Sequence, residues 1–468
     1  MGDIVSSCLL KDKKHIHFIG IGGSGMFPIV QILKSKGFYI TGSDNNETET
    51  VKIERAMGIP VYMEQRAENI EGADLIVYTA AIMADNPELI AAKNGKAPAV
   101  ERSVMLGEVS RAFSKTVGVS GTHGKTTTTA MITQILLDAG IDPSVVLGGK
   151  LKSIGGSGRV GNGDVFVCEA CEFVDTFLKL HPYVSLILNV DEDHLDYFGS
   201  IENIIGSFGK FAMLATGSVI VNGDDENSVK AVEEAKNAGK KIITFGWSEN
   251  NDYYPADIEY KAGEKSCYTL MKSGEKIAKI SLNIPGKHNI LNSVAACAAA
   301  GEVGATPEDF VTGLGNFYGT KRRFEIVSNE SDITVADDYA HNPKELEVTL
   351  GMAKELGYNK VWAVFQPFTF SRTKILFDGF VKALSIADRV VMSEIMGSRE
   401  KNTYNIYSED LRKKIPGSVV IPEFEKIADY VLENAEKGDL VITLGCGDIY
   451  KCADIMKRKI SEKKNASK

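Results

Sequence analysis

The 468-residue sequence has no apolar run of about 18 residues or more, and therefore no predicted membrane-spanning helix. It also lacks an excess of basic residues, since 53 Lys and Arg against 62 Asp and Glu give a net charge of −9. Binding to nucleic acid through its phosphates needs a basic surface, so that class of function is not expected. The polar N-terminus has no apolar signal-peptide core, and we expect a cytoplasmic protein with no membrane partner.

The sequence has few cysteines, and their number, seven, is odd. A disulfide framework needs paired cysteines in an oxidising compartment, so free thiols are expected here. Cys168 and Cys171 form a CxxC, but no second pair has zinc-site spacing. Cys168 closes the apolar run DVFVC, which favours a small buried residue over metal or redox chemistry.

Internal repeats and low-complexity blocks are absent, and short apolar runs alternate with Gly-rich turns and amphipathic stretches. This alternation predicts α/β units around parallel sheets, and the length predicts about three domains. We place them at 1–113, 114–320 and 321–468, the outer two Rossmann-like and the central one a P-loop ATPase-like domain with a mostly parallel sheet. The predicted strands are HIHFIGI (15–21), GFYITGSD (37–44), ADLIVYT (73–79), TVGVS (116–120), DVFVCEA (164–170), VSLILNV (184–190), SVIVNGDD (218–225), ITVADDYA (333–340), KVWAVFQP (360–367), DRVVMSEI (388–395) and DLVITLGCGD (439–448).

The stretch HFIGIGGSGM (17–26) contains a G-x-G-x-x-G between a predicted strand and a predicted helix. Its glycines allow a tight turn and a close backbone approach to a diphosphate at the helix N-terminus. Asp44 ends the second strand, where an acid that binds ribose would lie. This geometry recognises a diphosphate and a sugar, so NAD and a nucleotide-sugar both remain open. The predicted binding residues are Gly20, Gly22, Gly23, Ser24, Gly25, Met26 and Asp44.

A second phosphate loop, GTHGKTT (121–127), follows the strand TVGVS, although its glycine spacing departs from a strict P-loop. Backbone N–H groups can cradle phosphates, Lys125 can reach the β- and γ-phosphates, and the Thr126 hydroxyl can bind Mg²⁺. We therefore predict ATP binding. The threonines at 127–129 are poor helix formers, and we expect them to serve the phosphate-binding end of the helix. The predicted loop residues are Gly121, Thr122, His123, Gly124, Lys125, Thr126 and Thr127.

Acidic residues follow two neighbouring strands, at the sheet edge where α/β sites lie. Glu169 and Glu172 follow DVFVC, and the block NVDEDHLD (189–196) follows VSLIL. Mg²⁺ prefers oxygen ligands, so beside a P-loop we predict metal roles for Glu169 and His194. The second block also contains Asp191, Asp193 and Asp196.

Taken together, these motifs resemble those of the Mur ligase family, in the family's order and over nearly the whole chain. The matching blocks are GIGGSGM (20–26), GTHGKTTT (121–128), EACE (169–172), NVDEDHLDYFG (189–199), PGKHNILNSVAA (285–296), RRFE (322–325), DDYAHNP (337–343), FQPFTFSRT (365–373) and TLGCGDIY (443–450).

The resemblance implies that the first loop binds UDP-N-acetylmuramate, the second binds ATP, and the third domain brings L-alanine. It implies amide formation through an acyl phosphate, in peptidoglycan precursor synthesis, by a monomer or weak homodimer. Catalytic roles fall on Lys125, Glu169 and His194, with Mg²⁺ on Thr126, Glu169 and His194. Further ATP contacts fall on Asn292, Arg323 and Asp338, and amino-acid contacts on Arg372, Tyr339 and His341. Lys210, in a region where some relatives carry a carbamylated lysine, is expected to be a plain surface residue.

The amino-acid block departs from the family's common FQPHRYSRT, because Phe368, Thr369 and Phe370 replace a histidine, an arginine and a tyrosine. Arg372 remains and can pair with a carboxylate. The more apolar pocket suits alanine but leaves glycine and serine open. Asn342 and Cys171 also replace the family's histidine and aspartate.

Three other functions compete with this hypothesis. A ligase of the same family could add another amino acid or a recycled peptide. An NAD(P)-dependent oxidoreductase with a regulatory ATP domain explains the first loop, but leaves the blocks at 169–199 and 319–343 without a role. A non-catalytic P-loop switch predicts slow hydrolysis that does not depend on an acceptor.

Overall fold

A computed structural model describes residues 9–80, 82–260, 265–330, 332–398 and 400–466. The backbone forms two compact units, the first reaching Tyr260 and continuing from Lys265 to Tyr318, the second running from Gly319 onward. Three sheets, of five, ten and six strands, confirm the predicted α/β class. No helix in the described ranges has both the length and the apolar character needed to span a bilayer.

The first sheet is entirely parallel, in the order β3-β2-β1-β4-β5. This Rossmann-like order puts the switch point between β1 and β4, where the first glycine loop leaves β1. Its elements are β1 (His15–Ile19), α1 (Phe27–Ser35), β2 (Tyr39–Ser43), α2 (Glu49–Ala56), β3 (Val61–Tyr62), β4 (Leu75–Tyr78), α3 (Pro87–Asn94), β5 (Ala99–Glu101) and α4 (Arg102–Arg111).

The ten-stranded sheet has a parallel centre and antiparallel margins, in the order β15-β14-β13-β12-β11-β10-β6-β9-β7-β8. The phosphate-loop strand β6 lies between β10 and β9, so the two acidic blocks flank the loop, as predicted. Its elements are β6 (Lys115–Ser120), α5 (Lys125–Asp138), β7 (Ser144–Leu151), β8 (Gly156–Arg159), β9 (Val165–Glu169), β10 (Val184–Ile187), α6 (Leu195–Phe198), α7 (Ile201–Leu214), β11 (Ser218–Asn222), α8 (Glu226–Ala231), α9 (Glu233–Asn237), β12 (Lys241–Phe245), β13 (Tyr253–Glu259), β14 (Ser266–Lys272), β15 (Glu275–Leu282), α10 (Lys287–Glu302) and α11 (Pro307–Gly315).

The joint between the first two sheets is packed and not an exposed linker. Ala112 and Phe113, between α4 and β6, are buried, and the Phe113 ring stacks on Phe166 of β9 at 5.1 Å. Gly107 of α4 lies so close to the central domain that a Cβ there would be 2.2 Å from the Lys179 carbonyl oxygen. These contacts hold the first glycine loop beside the central sheet.

The second unit contains a six-stranded sheet in the order β16-β17-β21-β18-β19-β20. Only β16 is antiparallel to its neighbour, which agrees with the predicted Rossmann-like class. Its elements are β16 (Glu325–Ser328), β17 (Thr334–Asp338), α12 (Pro343–Glu355), β18 (Val361–Phe365), α13 (Phe370–Ile375), α14 (Phe377–Leu384), β19 (Arg389–Met392), α15 (Ser408–Arg412), β20 (Val419–Val420), α16 (Phe424–Asn434), β21 (Leu440–Leu444) and α17 (Tyr450–Ala466).

Candidate active site

The first glycine loop is closed by the acid at the end of β2. The Gly22 N–H donates to Asp44 Oδ2 at 3.0 Å, and Asn46 N–H donates to Asp44 Oδ1 at 3.0 Å. A Cβ at Gly22 would lie 2.6 Å from Val51 Cγ2, so only glycine fits there. Asp44 is therefore at the loop, as predicted, whereas the Met26 side chain is buried in the apolar core.

The second loop turns through two glycines in left-handed conformations, Gly121 at φ 136° and Gly124 at φ 87°. Asn189, just beyond β10, holds this loop from both sides. Its Oδ1 accepts from the His123 N–H at 2.8 Å, and its Nδ2 donates to the His123 carbonyl at 3.1 Å. Asn189 opens the second acidic block, and no spacing pattern in the sequence predicts this role for it.

Lys125 is in contact with a carboxylate and with its own loop. Its Nζ lies 3.0 Å from both Glu172 carboxylate oxygens and 3.2 Å from the Thr122 carbonyl oxygen. Burial, the largest single effect, would lower the pKa of Lys125, but the charge and hydrogen bond of Glu172, together with Cys171 and Glu169, outweigh it and raise the pKa. The lysine therefore stays charged.

The threonines after Lys125 divide into two groups. Thr126 and Thr127 lie in the first turn of α5, close to the N-terminal N–H groups. Thr128 and Thr129 are completely buried, and the Thr129 hydroxyl donates to the Lys125 carbonyl at 2.8 Å. That bond to the carbonyl four residues earlier satisfies a buried hydroxyl inside a helix. The Thr129 hydroxyl is therefore used within the helix, while the buried Thr128 hydroxyl has no hydrogen-bond partner in the described part of the chain. Of the three threonines at 127–129, only Thr127 lies in the first turn of α5.

The predicted metal residues lie at the carboxyl ends of β9 and β10. Glu169 Oε1 accepts from the Gly148 N–H at 2.6 Å, and His194, with φ 51°, follows β10. Within the described residues, no three His, Cys, Asp or Glu side chains form a ready metal cluster. Mg²⁺ usually takes one or two carboxylates and completes its shell with phosphates and water, so the oxygen donors of Thr126 and Glu169 fit it, and His194 would add a nitrogen donor. The Asp196 side chain is outside the described part of the chain.

A cavity of about 320 Å³ connects the first glycine loop with the metal block. Ser24 and Gly25 line one side, and Glu169 and Cys171 line the other. Arg102, at the start of α4, also lines it, and its Nη1 would be 3.4 Å from a Cβ on Gly25. Arg102 could not be predicted from sequence, because a single arginine before an amphipathic helix carries no spacing signal.

Asn292 of α10 lies against the phosphate loop. A Cβ on Gly124 would be 2.8 Å from Asn292 Oδ1, and Asn292 Nδ2 donates to Asn289 Oδ1 at 3.2 Å. Gly124 and Asn292, both predicted to bind ATP, are thus adjacent. Cys168 is buried, as predicted, and Lys210 is exposed on α7.

In the second unit, Arg322 joins three loops at the carboxyl edge of the sheet. Its Nε lies 3.2 Å from Asp337 Oδ2, its Nη1 donates to the Gly447 carbonyl at 3.1 Å, and its guanidinium lies 4.9 Å from the ring centroids of Tyr339 and Tyr450. Burial raises the pKa of Asp337 to about 6, against the opposing effect of Arg322.

Arg323 and Asp338 differ in how much of each side chain is available to a ligand. The Asp338 carboxylate accepts from the N–H groups of Phe324 at 2.7 Å and Ala340 at 2.8 Å, and burial raises its pKa. The Asp338 carboxylate is thus already occupied by backbone N–H groups on both sides of the loop edge. The Arg323 guanidinium lies 5.3 Å from the Tyr339 ring centroid.

Arg372, the predicted carboxylate ligand, lies on α13. Its Nη1 is buried and has no hydrogen-bond partner among the residues that the structure describes. A buried charged donor of this kind needs a hydrogen-bond partner, which a water molecule, an ion or a ligand can supply. Phe370 packs against Gly397, where a Cβ would be 2.4 Å from the ring, so this replaced residue fills space beside Arg372.

His341 is held by the helix that follows it. Its Nδ1 lies 3.1 Å from Glu345 Oε2 and 3.1 Å from the Tyr339 carbonyl oxygen. Burial alone would raise the pKa of Glu345, but hydrogen bonds from His341 lower it to about 2. Tyr339 and His341 are thus brought together as predicted, with their rings 5.4 Å apart.

Three family models cover most of the chain. Residues 15–114 match the Mur ligase family catalytic domain, 119–300 the Mur ligase middle domain, and 322–447 the Mur ligase glutamate ligase domain. The chain belongs to the Mur ligase family. This Mur ligase is 44% identical over 450 residues to a UDP-N-acetylmuramate–L-alanine ligase of Acetivibrio thermocellus, with 94% of this chain and 95% of that protein covered. Another, from Lachnospira eligens, is also 44% identical, over 94% of this chain and 97% of its own length.

Solved structures agree with this family assignment. The UDP-N-acetylmuramate–alanine ligase of Thermotoga maritima superposes on this Mur ligase with a TM-score of 0.81, at 29% identity, covering 96% of this chain and all 100% of that one. A murein peptide ligase of Psychrobacter arcticus gives a TM-score of 0.72 at 24% identity, covering 95% of this chain and 98% of its own, and shares the fold.

Proposed function

We propose that this Mur ligase joins L-alanine to the lactyl carboxylate of UDP-N-acetylmuramate at the expense of ATP, in the cytoplasm, as a step in peptidoglycan precursor synthesis. One observation supports this most directly: a single cavity is lined by Gly25 of the diphosphate loop and by Glu169 beside the ATP loop. A sugar nucleotide held on the first loop could extend its carboxylate through that cavity toward the γ-phosphate. The names of the curated relatives support the same substrates.

The reaction would proceed in two steps. The lactyl carboxylate attacks the γ-phosphorus of ATP, which releases ADP and leaves an acyl phosphate. The amine of alanine then attacks the acyl carbon, and phosphate leaves as the amide forms. Two anions must approach one another in the first step, so positioned positive charge is the main requirement on the protein.

The chain supplies that charge from several directions. Lys125 would hold the β- and γ-phosphates together with the N–H groups of 121–127, and Arg102 would face the diphosphate of the sugar nucleotide. Thr126, Glu169 and His194 would hold Mg²⁺, which neutralises phosphate charge when bound. We expect further contacts with ATP from Asn292, Arg323 and Asp338.

The amino acid would be bound in the second unit. The buried Nη1 of Arg372 supports a role in binding the carboxylate of alanine, beside Tyr339 and His341. A guanidinium pairs bidentately with a carboxylate, which fixes the direction of the amine. The phenylalanines at 368 and 370 favour a small apolar side chain.

The test is phosphate release from ATP and Mg²⁺ with UDP-N-acetylmuramate, adding each of the twenty amino acids in turn and identifying products by mass spectrometry. Release that needs both the sugar and L-alanine, with the mass of UDP-N-acetylmuramoyl-alanine, is the expected result. A Lys125→Met variant should lose the activity, and the exposed Lys210→Met should retain it. Release only with another amino acid or a peptide would overturn the specificity, and release without an acceptor would overturn the ligase proposal.

A further inference from the structure

The connection from β9 toward β10 contains two adjacent residues in an unfavourable backbone conformation. Val174 has φ 53° and ψ 33°, and Asp175 has φ 55° and ψ 27°. A left-handed conformation is unfavourable for a non-glycine residue, and β-branched valine adopts it rarely. Such strain persists only where surrounding contacts enforce it, and it concentrates at functional sites.

Side chains on both sides of this strained pair contact the candidate active site. Before it, Glu172 holds Lys125 of the phosphate loop. After it, Thr176 lines the cavity that reaches the first glycine loop, and Phe177 is buried against Phe208 and Phe211. The left-handed pair reverses the direction of the chain, so residues close in sequence reach the phosphate loop, the cavity and the apolar core.

Asp175 anchors the strained pair to the helices that follow β10. Its carboxylate accepts a hydrogen bond from the Tyr197 hydroxyl at 2.9 Å and another from the Ser207 hydroxyl. Tyr197 is on α6, in the turn that begins at His194, and its backbone N–H donates to the His194 carbonyl at 2.9 Å. The anchor therefore links the segment after β9 with the block that carries the predicted metal histidine.

Phe173, immediately before the strained pair, contacts that histidine directly. The ring centroids of Phe173 and His194 are 4.5 Å apart with an interplanar angle of 38°, and the Tyr197 ring is 6.1 Å from Phe173. His194 is itself in the left-handed region, and about a third of its side chain, 32%, is exposed. A partly exposed imidazole can rotate about its side-chain bonds, and a ring packed on its face restricts that rotation.

We infer that Phe173 is a positioning residue for the His194 imidazole, kept against it by the strained Val174–Asp175 pair and the Asp175–Tyr197 hydrogen bond. The inference rests on the proposed function, because it takes His194 as one of the residues that would hold Mg²⁺. Mutation of a residue that orients a metal-ligating histidine typically lowers metal affinity by about 10- to 100-fold. The strained pair would then serve the site, since it directs Phe173 outward onto the imidazole.

The experiment compares Phe173→Leu, which removes the ring, with Phe173→Tyr, which keeps it. The first readout is the ¹H–¹³C spectrum of histidine-labelled enzyme without nucleotide or metal, with the His194 signals assigned by their loss in His194→Gln. The second is the affinity for Mn²⁺ of the complex with a non-hydrolysable ATP analogue, followed by electron paramagnetic resonance. Neither readout requires turnover, so failure of the ligase reaction in the wild-type assay is a separate result.

A matched control is available in the first sheet, where Tyr39 lies 4.8 Å from His15. Tyr39→Leu also removes a ring from a histidine, and it should shift the His15 signals while leaving Mn²⁺ affinity unchanged. Phe173→Leu should shift the His194 signals and weaken Mn²⁺ binding about tenfold, toward the value of His194→Gln. Phe173→Tyr should restore both properties. Unchanged His194 signals in Phe173→Leu, or unchanged Mn²⁺ affinity, would overturn the inference.

Discussion

The Lys125 ammonium lies 3.0 Å from each oxygen of the Glu172 carboxylate, and 17% and 4% of the two side chains are exposed. The Lys125 charge thus has a counter-ion within the chain. In the proposed function the same lysine binds the phosphates of ATP, which carry more negative charge than one carboxylate. The Glu172 carboxylate would then hold the lysine in place in the phosphate loop before the nucleotide binds.

Glu172→Gln should destabilise the enzyme without nucleotide, because it leaves the Lys125 charge buried with neutral partners. Removing one partner of a buried ion pair costs about 3–5 kcal/mol. Bound ATP would supply the missing negative charge, so ATP and Mg²⁺ should raise the melting temperature of Glu172→Gln more than that of the wild type. Differential scanning calorimetry with and without ATP measures both effects. Equal melting temperatures of the two proteins without ATP would contradict this prediction.

Gly124→Ala should abolish ATP binding, whereas Gly140→Ala should not. Both glycines have positive φ, 87° and 70°, so both substitutions carry a similar backbone strain of about 1–2 kcal/mol. The two positions differ in the space around the added methyl group. A Cβ at Gly124 would be 2.8 Å from Asn292 Oδ1, whereas one at Gly140 would meet nothing within 4 Å. Isothermal titration with ATP distinguishes them. ATP binding that survives in Gly124→Ala would show that the loop tolerates the added atom.

Arg372→Lys should raise the KM for the amino acid with little change in the KM for ATP. A lysine keeps the charge but loses the planar pair of donors, and a charge-assisted hydrogen bond is worth about 1.5–3 kcal/mol, or roughly 10- to 100-fold. Arg389→Lys, at an exposed position at the start of β19, is the matched control. Steady-state kinetics with each substrate varied in turn measures this. An equal rise in both KM values would point to a general distortion of the unit.

Much of this site could be predicted from sequence because its residues come directly after apolar strand segments. In parallel sheets the carboxyl ends of neighbouring strands meet at one edge, so Lys125, Glu169 and His194, which follow β6, β9 and β10, were expected at the same edge of the central sheet. Short-range spacing also put Asp44, predicted as a ribose-binding acid, at the end of β2, and the structure adds its contact with the first glycine loop. These predictions needed only local pattern and the geometry of a parallel sheet.

Contacts between elements far apart in the chain could not be predicted in this way. Arg102 faces the Gly25 loop because α4 packs against the segment that ends at Lys179, and no spacing rule encodes that packing. The left-handed Val174–Asp175 pair contradicts local propensity and is fixed by Tyr197 and Ser207.

The hairpin of β14 and β15 was also missed, but the sequence does carry a signal for it. Apolar and polar residues alternate on both sides of Ser273-Gly274, and both turn residues have positive φ, 49° and 86°. A two-residue turn of this kind favours a tight antiparallel hairpin.

Glu54 of α2 is a buried carboxyl group near the first glycine loop, and it should make the stability of the protein depend on pH. Its side chain is completely buried, and neither carboxylate oxygen has a hydrogen-bond partner within the described ranges. Burial, with a smaller effect from the Asp44 charge, raises the pKa of Glu54 from 4.5 to about 8. At neutral pH the folded protein therefore holds a proton on Glu54 that the unfolded chain has lost.

The direction of the effect follows from which state binds more protons. Below pH 4.5 both states are protonated, and the group carries no penalty. Between pH 4.5 and about 8 only the folded state keeps the proton, so stability falls as the pH rises through this window. The loss is about 5 kcal/mol as an upper bound, from about 1.4 kcal/mol for each pKa unit.

Glu54→Gln cannot ionise and should lack this dependence, so its melting temperature should exceed that of the wild type at pH 8 by more than at pH 5. Glu49→Gln, on the same helix but with 76% of its side chain exposed, should follow the wild-type profile. Thermal unfolding of the three proteins from pH 5 to pH 8.5 provides the comparison. Parallel profiles for Glu54→Gln and the wild type would contradict the prediction, because they would show that Glu54 is already ionised in the folded protein. We expect it to be protonated instead, because a buried charge without a hydrogen-bond partner is costly.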